Sequence, residues 1–88
     1  MLFVVLVKFK KKPTKEVLAE SDKLFEKAAE EGLKIHAVYY TLGRYDAVGI
    51  FEHKDEKAAM KSLLRLFDID STETLVAVPR EEARKLLD

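Results

Sequence analysis

Tyr40, Thr41, Gly43, Tyr45 and Asp46 stand close together near the middle of the chain. A glycine turn flanked by hydroxyls and a carboxylate can hold the amine of a small polar ligand at a subunit boundary. The same residues also have a plainer reading. Gly43 makes the turn, Asp46 accepts backbone N–H groups, and the tyrosines are half-buried packing. The plainer reading weighs more, because residue types alone do not argue a function. His36 and Asp46 form the best acid–base pair in the sequence, since the two strands of a hairpin would bring a histidine and a carboxylate side by side. His36 alternates with Lys34, however, and a half-exposed strand histidine is the ordinary case. No residue is therefore assigned as catalytic, with His36 and Asp46 the weak candidates. His53 follows a strand and precedes Asp55, so it reads as a loop residue.

The remaining chemistry is sparse. There is no Ser/His/Asp or Cys/His set with recognisable spacing, no phosphate-cradling glycine loop and no metal motif. We expect no metal and no cofactor. Lys+Arg and Asp+Glu are 16 each, so the formal net charge is zero, which argues against nucleic-acid binding through overall charge. Lys8, Lys10, Lys11 and Lys12 make the one basic cluster, and it reads as a solvated strand end rather than a phosphate patch. Met1 to Val7 is apolar but short, with neither a basic leader nor a small-residue cleavage site, so no signal peptide is expected. No stretch reaches the roughly 18–20 apolar residues that span a bilayer. The expectation is a soluble, cytoplasmic protein without membrane or nucleic-acid partners. Cysteine, asparagine and glutamine are absent and charged residues make up 36%, a pattern of hyperthermophile proteins that bears on the source and not on the function.

These residues need a scaffold, and at 88 residues the chain is expected to be one domain, residues 1–88. Leu2 to Phe9 reads as a strand ended by lysines and Pro13. Thr14 offers an N-cap to a helix whose apolar face holds Val17, Leu18, Leu24, Phe25, Ala28 and Ala29. Ser21 and Asp22 offer an alternative cap that would split it. Gly32 is placed to end it in a left-handed conformation. Leu33 to Leu42 is a second strand, with Ile35, Ala37 and Tyr39 on one face and His36, Val38 and Tyr40 on the other. Gly43 and Arg44 turn the chain into a third strand, Tyr45 to Glu52. Asp55 caps a second helix with a core face of Ala59, Met60, Leu63, Leu66 and Phe67, Met60 being core rather than a ligand. The loop Asp68 to Ser71 leads to a fourth strand, Thr72 to Val78. Pro79 opens a short C-terminal helix with Ala83, Leu86 and Leu87 as a narrow apolar stripe. Glu16–Glu20 and Glu26–Glu30 read as solvated faces. The order βαββαβ, with right-handed crossovers, gives an α+β fold: a four-stranded antiparallel sheet with both helices on one face.

An antiparallel sheet with one face in water should alternate apolar and polar residues. These strands do not. Leu2, Val4 and Leu6 oppose Phe3, Val5 and Val7; Val48 and Ile50 oppose Ala47 and Phe51; Val76 and Val78 oppose Leu75 and Ala77. Two helices cover one face only, and a small chain without disulfides has little stability to spare. The other face is expected to pack against a second copy, as a homodimer or higher homo-oligomer.

The segment from Tyr39 to Val48, together with Phe51-Glu52, Asp55, Thr72-Glu73-Thr74-Leu75 and the opening Val4 to Phe9, resembles the GYD domain family. The order and spacing of these pieces, more than any one of them, carry the resemblance, which runs nearly end to end. Arg44, between the glycine and the Tyr-Asp pair, is a departure that leaves the turn glycine in place. The resemblance implies a dimeric α/β barrel of two ferredoxin-like protomers packed through their sheets, and implies no particular reaction. Thr41-Leu42-Gly43-Arg44-Tyr45-Asp46 followed by a helix and Thr72-Glu73-Thr74 more weakly resembles the effector-binding domain of leucine-responsive regulators, where the corresponding loop lies near amino-acid sites between subunits. No helix-turn-helix accompanies it here.

Three functions follow as expectations. The first is an oligomeric small-molecule-binding or regulatory domain, its ligand near the subunit boundary at Tyr40, Thr41, Gly43, Tyr45 and Asp46. The second is a cofactor-free enzyme, monooxygenase-like or isomerase-like, using His36 and Asp46. The third is a structural interaction subunit. The scarcity of catalytic groups argues against an enzyme more than for one.

Overall fold

The computed structural model describes residues 1–68 and 70–87, the side chains of 67 and 68 aside. Strand β1 (Leu2–Phe9) leads to helix α1 (Lys15–Glu30), then to β2 (Lys34–Tyr40), β3 (Ala47–Glu52), α2 (Glu56–Leu63), a 3-10 turn (Leu64–Asp68), β4 (Asp70–Ala77) and α3 (Arg80–Lys85). The sheet is antiparallel throughout, in the order β2-β3-β1-β4, so the first strand and the third lie in the middle. This is the ferredoxin-like α+β arrangement expected from the order of elements. Among the described residues no helix is long and apolar enough to cross a membrane.

Local chemistry places the ends of the helices. The Thr14 hydroxyl accepts the Val17 N–H at 3.2 Å, and the Asp55 carboxylate accepts the Ala58 N–H at 2.8 Å, each satisfying an orphan donor of a first turn. At the far end of α1, Gly32 has φ +104°. The Leu33 N–H reaches back to the Ala28 carbonyl and the Gly32 N–H to that of Ala29, the paired bonds of a Schellman stop. Helix α1 runs unbroken past Ser21 and Asp22, the alternative cap going unused.

Pairing defines two faces. Phe3, Val5 and Val7 of β1 lie opposite Phe51, Gly49 and Ala47, and this face meets the helices. Val5, Phe51, Ala28, Leu33, Leu63 and Leu66 form the buried core, with Leu24 and Phe25 packed against it. Phe25 and Phe51 stack with centroids 5.9 Å apart. Gly49 makes this possible, since a Cβ there would overlap the Phe51 ring. The open face carries Leu2, Val4 and Leu6 with Val48 and Ile50 beside them on β3, and Leu75 and Ala77 on β4.

Four expectations are corrected. The register of β2 slips between Ile35 and Ala37, a bulge with His36 as the extra residue. Strict alternation therefore fails. Ile35, Val38 and Tyr40 lie opposite Phe51, Gly49 and Ala47 on the helix side, while Ala37 and Tyr39 join the open face. Met60 is 61% exposed and is not core: Ala59, Ser62 and Leu63 face the sheet, which turns Met60 to the rim. Ala29 likewise lies outside the core that Ala28 enters. Phe67 falls outside the described side chains, and the expected loop 68–71 includes residue 69, also outside the described residues. Asp70 and Ser71 already belong to β4.

Candidate ligand-binding site

The hairpin loop from Thr41 to Asp46 is tied from within. The Thr41 N–H donates to the Asp46 carbonyl at 2.9 Å and the Thr41 hydroxyl to the Tyr45 carbonyl at 2.8 Å. Tyr45 and Asp46 are spent on this closure, which is why β3 starts at Ala47. Gly43, at φ +113° with open space around its α-carbon, makes the turn. The Asp46 side chain reaches beyond the loop. Its Oδ2 accepts the Phe9 N–H at 2.8 Å and its own N–H donates to the Val7 carbonyl at 2.8 Å, fastening the loop to the end of β1.

The two tyrosines part company. Tyr45 donates its hydroxyl to Glu73 Oε2 at 2.7 Å, with the Arg44 guanidinium 5.7 Å from its ring centroid. Glu73 lies opposite Leu6, so Tyr45 belongs to the open face. Donation to that carboxylate, with some burial, raises the Tyr45 pKa above its ordinary value. Tyr40 lies on the helix side and meets the Phe9 ring edge-on at 5.6 Å. Thr41, Gly43 and Arg44 are exposed. The residues of the motif thus do not converge on one point. They bracket the end of the sheet from both sides.

Beneath this loop lies a cavity of about 180 Å3 between the sheet and α1. Val7, Phe9, Tyr40 and Phe51 of the sheet and Leu18 and Phe25 of α1 give it an apolar wall, and Ser21 and Asp22 reach it from the helix. Its buried polar group is Asp70, 8% exposed and opposite Phe9 in the ladder. Burial raises the Asp70 pKa above the usual carboxylate range, and the Asp46 charge adds to the rise while Lys10 opposes it. A carboxyl so placed can hold a proton, or hydrogen-bond a polar group of a molecule seated against the apolar wall.

Sequence reasoning missed Asp70 by reading it as loop. The signal was there: Asp70, Thr72, Thr74 and Val76 share one period of two, so the strand extends two residues earlier and carries its acid onto the helix side.

His36 does not meet Asp46. The register pairs Lys34 with Glu52 at one end of the hairpin and Tyr40 with Ala47 at the other, so the two candidates sit at opposite ends of the strands. His36 Nε2 lies 2.9 Å from Glu52 Oε1 on the exposed side, and this hydrogen bond lowers the Glu52 pKa. His53 follows β3 as expected of a loop residue, but is 5% exposed. Among the described residues no cluster of His, Cys, Asp and Glu is arranged to hold a metal ion.

Solved structures share this architecture. Muconolactone isomerase superposes with a TM-score of 0.61 at 23% identity, over 91% of this chain and 93% of its own. The protein TTHA0845 from Thermus thermophilus gives 0.53 at 27% identity, over 90% and 98%. The protein FFRP-DM1 gives 0.55 at 18% identity, over 89% and 100%. No curated protein matches in sequence. Residues 3–87 match the GYD domain, from the first strand through the Gly43 hairpin to the last helix, and the chain belongs to the GYD domain family.

Proposed function

We propose that this chain is a small-molecule-binding domain that works as a homo-oligomer, its ligand seated between the sheet and α1 beneath the Gly43 hairpin. The carrying observation is the buried Asp70 carboxyl in an otherwise largely apolar cavity. Ligand sites combine apolar walls with a few placed polar groups, and at about 180 Å3 this one falls below the roughly 300 Å3 of drug-sized sites. The ligand is therefore a compact molecule with an apolar body and one amine or hydroxyl for Asp70. Tyr40 forms part of the wall and Asp46 strengthens the negative potential, while Thr41, Gly43 and Tyr45 do not line the cavity and serve the hairpin that brings Tyr40 and Asp46 there.

Oligomerisation is supported by the open face. Leu2, Val4, Leu6, Val48, Ile50 and Leu75 lie there together, and Tyr39 is 59% exposed beside them. Helix α3 has no buried residue and leaves Leu86 and Leu87 exposed, so it does not cover that surface. An apolar patch of this extent is unusual on a monomer, and sheet-to-sheet pairing about a two-fold axis closes it.

A thermal-shift screen of short aliphatic amines, amino acids and hydroxy compounds tests the ligand. Stabilisation of the wild type that disappears in Asp70→Asn supports the reading. A cavity that no compound stabilises, with the same result in the oligomer, counts against it. One observation favours a second reading, that of a cofactor-free enzyme. A buried carboxyl whose pKa is raised suits acid–base chemistry, and one protein of this fold is an isomerase. In that reading Asp70, not His36, is the acid–base group, and Asp70→Asn keeps binding while losing turnover.

A further inference from the structure

A second cavity, of about 510 Å3, lies at the other end of the molecule, where β3 enters α2. His53 and Ser62 both line it, and each is buried, at 5% and 4% exposure. The His53 Nδ1 accepts the Lys54 N–H at 2.9 Å. Its ring proton is therefore on Nε2, a donor. That Nε2 and the Ser62 Oγ have no hydrogen-bond partner within the protein. Buried polar groups are almost always satisfied, so two orphans among the residues of one cavity mark it as a place that lacks hydrogen-bond partners.

The surroundings say which acceptor. Lys54, Lys57 and Lys61 line the same cavity. Two carboxylates also line it, and both are already used. Asp55 caps α2 through the Ala58 N–H. Glu31 takes both terminal nitrogens of Arg65, with Lys61 3.6 Å away. The lysines thus outnumber the acids, and the two unpartnered groups supply donors. We propose that this cavity is an oxyanion-binding site, taking the phosphate or carboxylate of a small molecule on His53 Nε2–H and the Ser62 hydroxyl, with the lysines neutralising its charge. The Asp55 side chain occupies the Ala58 amide, so His53 and Ser62, rather than the helix terminus, define the site. It lies apart from the Asp70 cavity and shares no lining residue with it.

NMR titration of the full chain with inorganic phosphate, and separately with acetate, tests this. The expected result is saturable shifts at the His53 imidazole and the amides from His53 to Ser62. Ser62→Ala and His53→Phe each weaken the affinity roughly tenfold or more. Saturation by phosphate alone supports the site with a phosphate as ligand, and saturation by both supports it with any small oxyanion. Ser62→Ala removes only a hydroxyl from a helix, so it decides the matter even where His53→Phe fails to fold. The proposal is overturned by shifts that never saturate, by saturation centred on Lys8 to Lys12, or by an affinity that Ser62→Ala leaves unchanged.

Discussion

The two faces of the sheet are built from the same kinds of residue and meet different surroundings. On one, Phe3, Val5 and Phe51 are buried under α1, α2 and the 3-10 turn. On the other, Val4, Leu6, Val48 and Ile50 stay half-buried at best, although they alternate with the first set along the same strands. The difference lies in what the chain has left to cover them with. Its two main helices follow crossovers of one hand and so land on one side. The lesson is that apolarity alone does not make a core: a core also needs a covering element, and a face that the chain does not cover stays open.

Substitutions on adjacent residues of β3 test this most sharply. Phe51→Ala empties the space over Gly49 and should cost about 3–5 kcal/mol of protomer stability, read from the urea midpoint. Ile50→Asp, one residue away on the open face, should leave the fold in place and weaken self-association roughly a hundredfold, or about 3 kcal/mol. Sedimentation across a concentration series reads it. If Ile50→Asp changes nothing while the wild type is a monomer, the open face is no interface and the comparison fails.

Asp70→Asn probes the polar flaw in the covered face. The folded chain holds the Asp70 proton more tightly than the unfolded chain does, because its pKa is raised above 3.8 by burial and by Asp46. Wild-type stability from this group therefore declines as pH rises from 3.8 through the raised folded value. The variant should gain on the wild type near pH 7 and show no gain below about pH 3, where both states of Asp70 are protonated. An equal difference at both pH values would remove the ionised carboxylate from the account.

The smallest effect is expected at the stitch between the helices. Arg65 holds the Glu31 carboxyl at about 2 against an ordinary 4.5, with Lys61 assisting. That pair stabilises fully above 4.5, and its contribution is lost as pH falls through 2. Arg65→Met should flatten the acid limb of the stability curve in that window and leave self-association untouched, since both partners sit on the covered side. A change in oligomer mass would tie this pair to the interface instead.

Much of the scaffold was legible in the residues. Strand β1, the Thr14 and Asp55 caps and the Gly32 stop follow from local rules, because each depends on a few neighbouring dihedrals and one or two hydrogen bonds. The site was less so. The Gly43 motif is visible in the sequence, where its members read as one cluster. Tertiary register sends Tyr40 to one face and Tyr45 to the other. Adjacency in a hairpin pairs His36 with Asp46, whereas the bulge and the antiparallel register give it Glu52. The period of two through Asp70, Thr72, Thr74 and Val76 marks the side of the sheet that Asp70 faces, but nothing local marks Ser62 or the loop histidine His53 as buried.

The sequence by itself determined the order of elements, their caps and the apolar character of both sheet faces, since period and composition act over short distances. Only the tertiary structure decided which face is covered, which residue is displaced by the bulge, and that Asp70, His53 and Ser62 are buried. Burial is a property of what packs against a residue from elsewhere in the chain. An aspartate, a histidine and a serine are buried here because distant elements take water away from them.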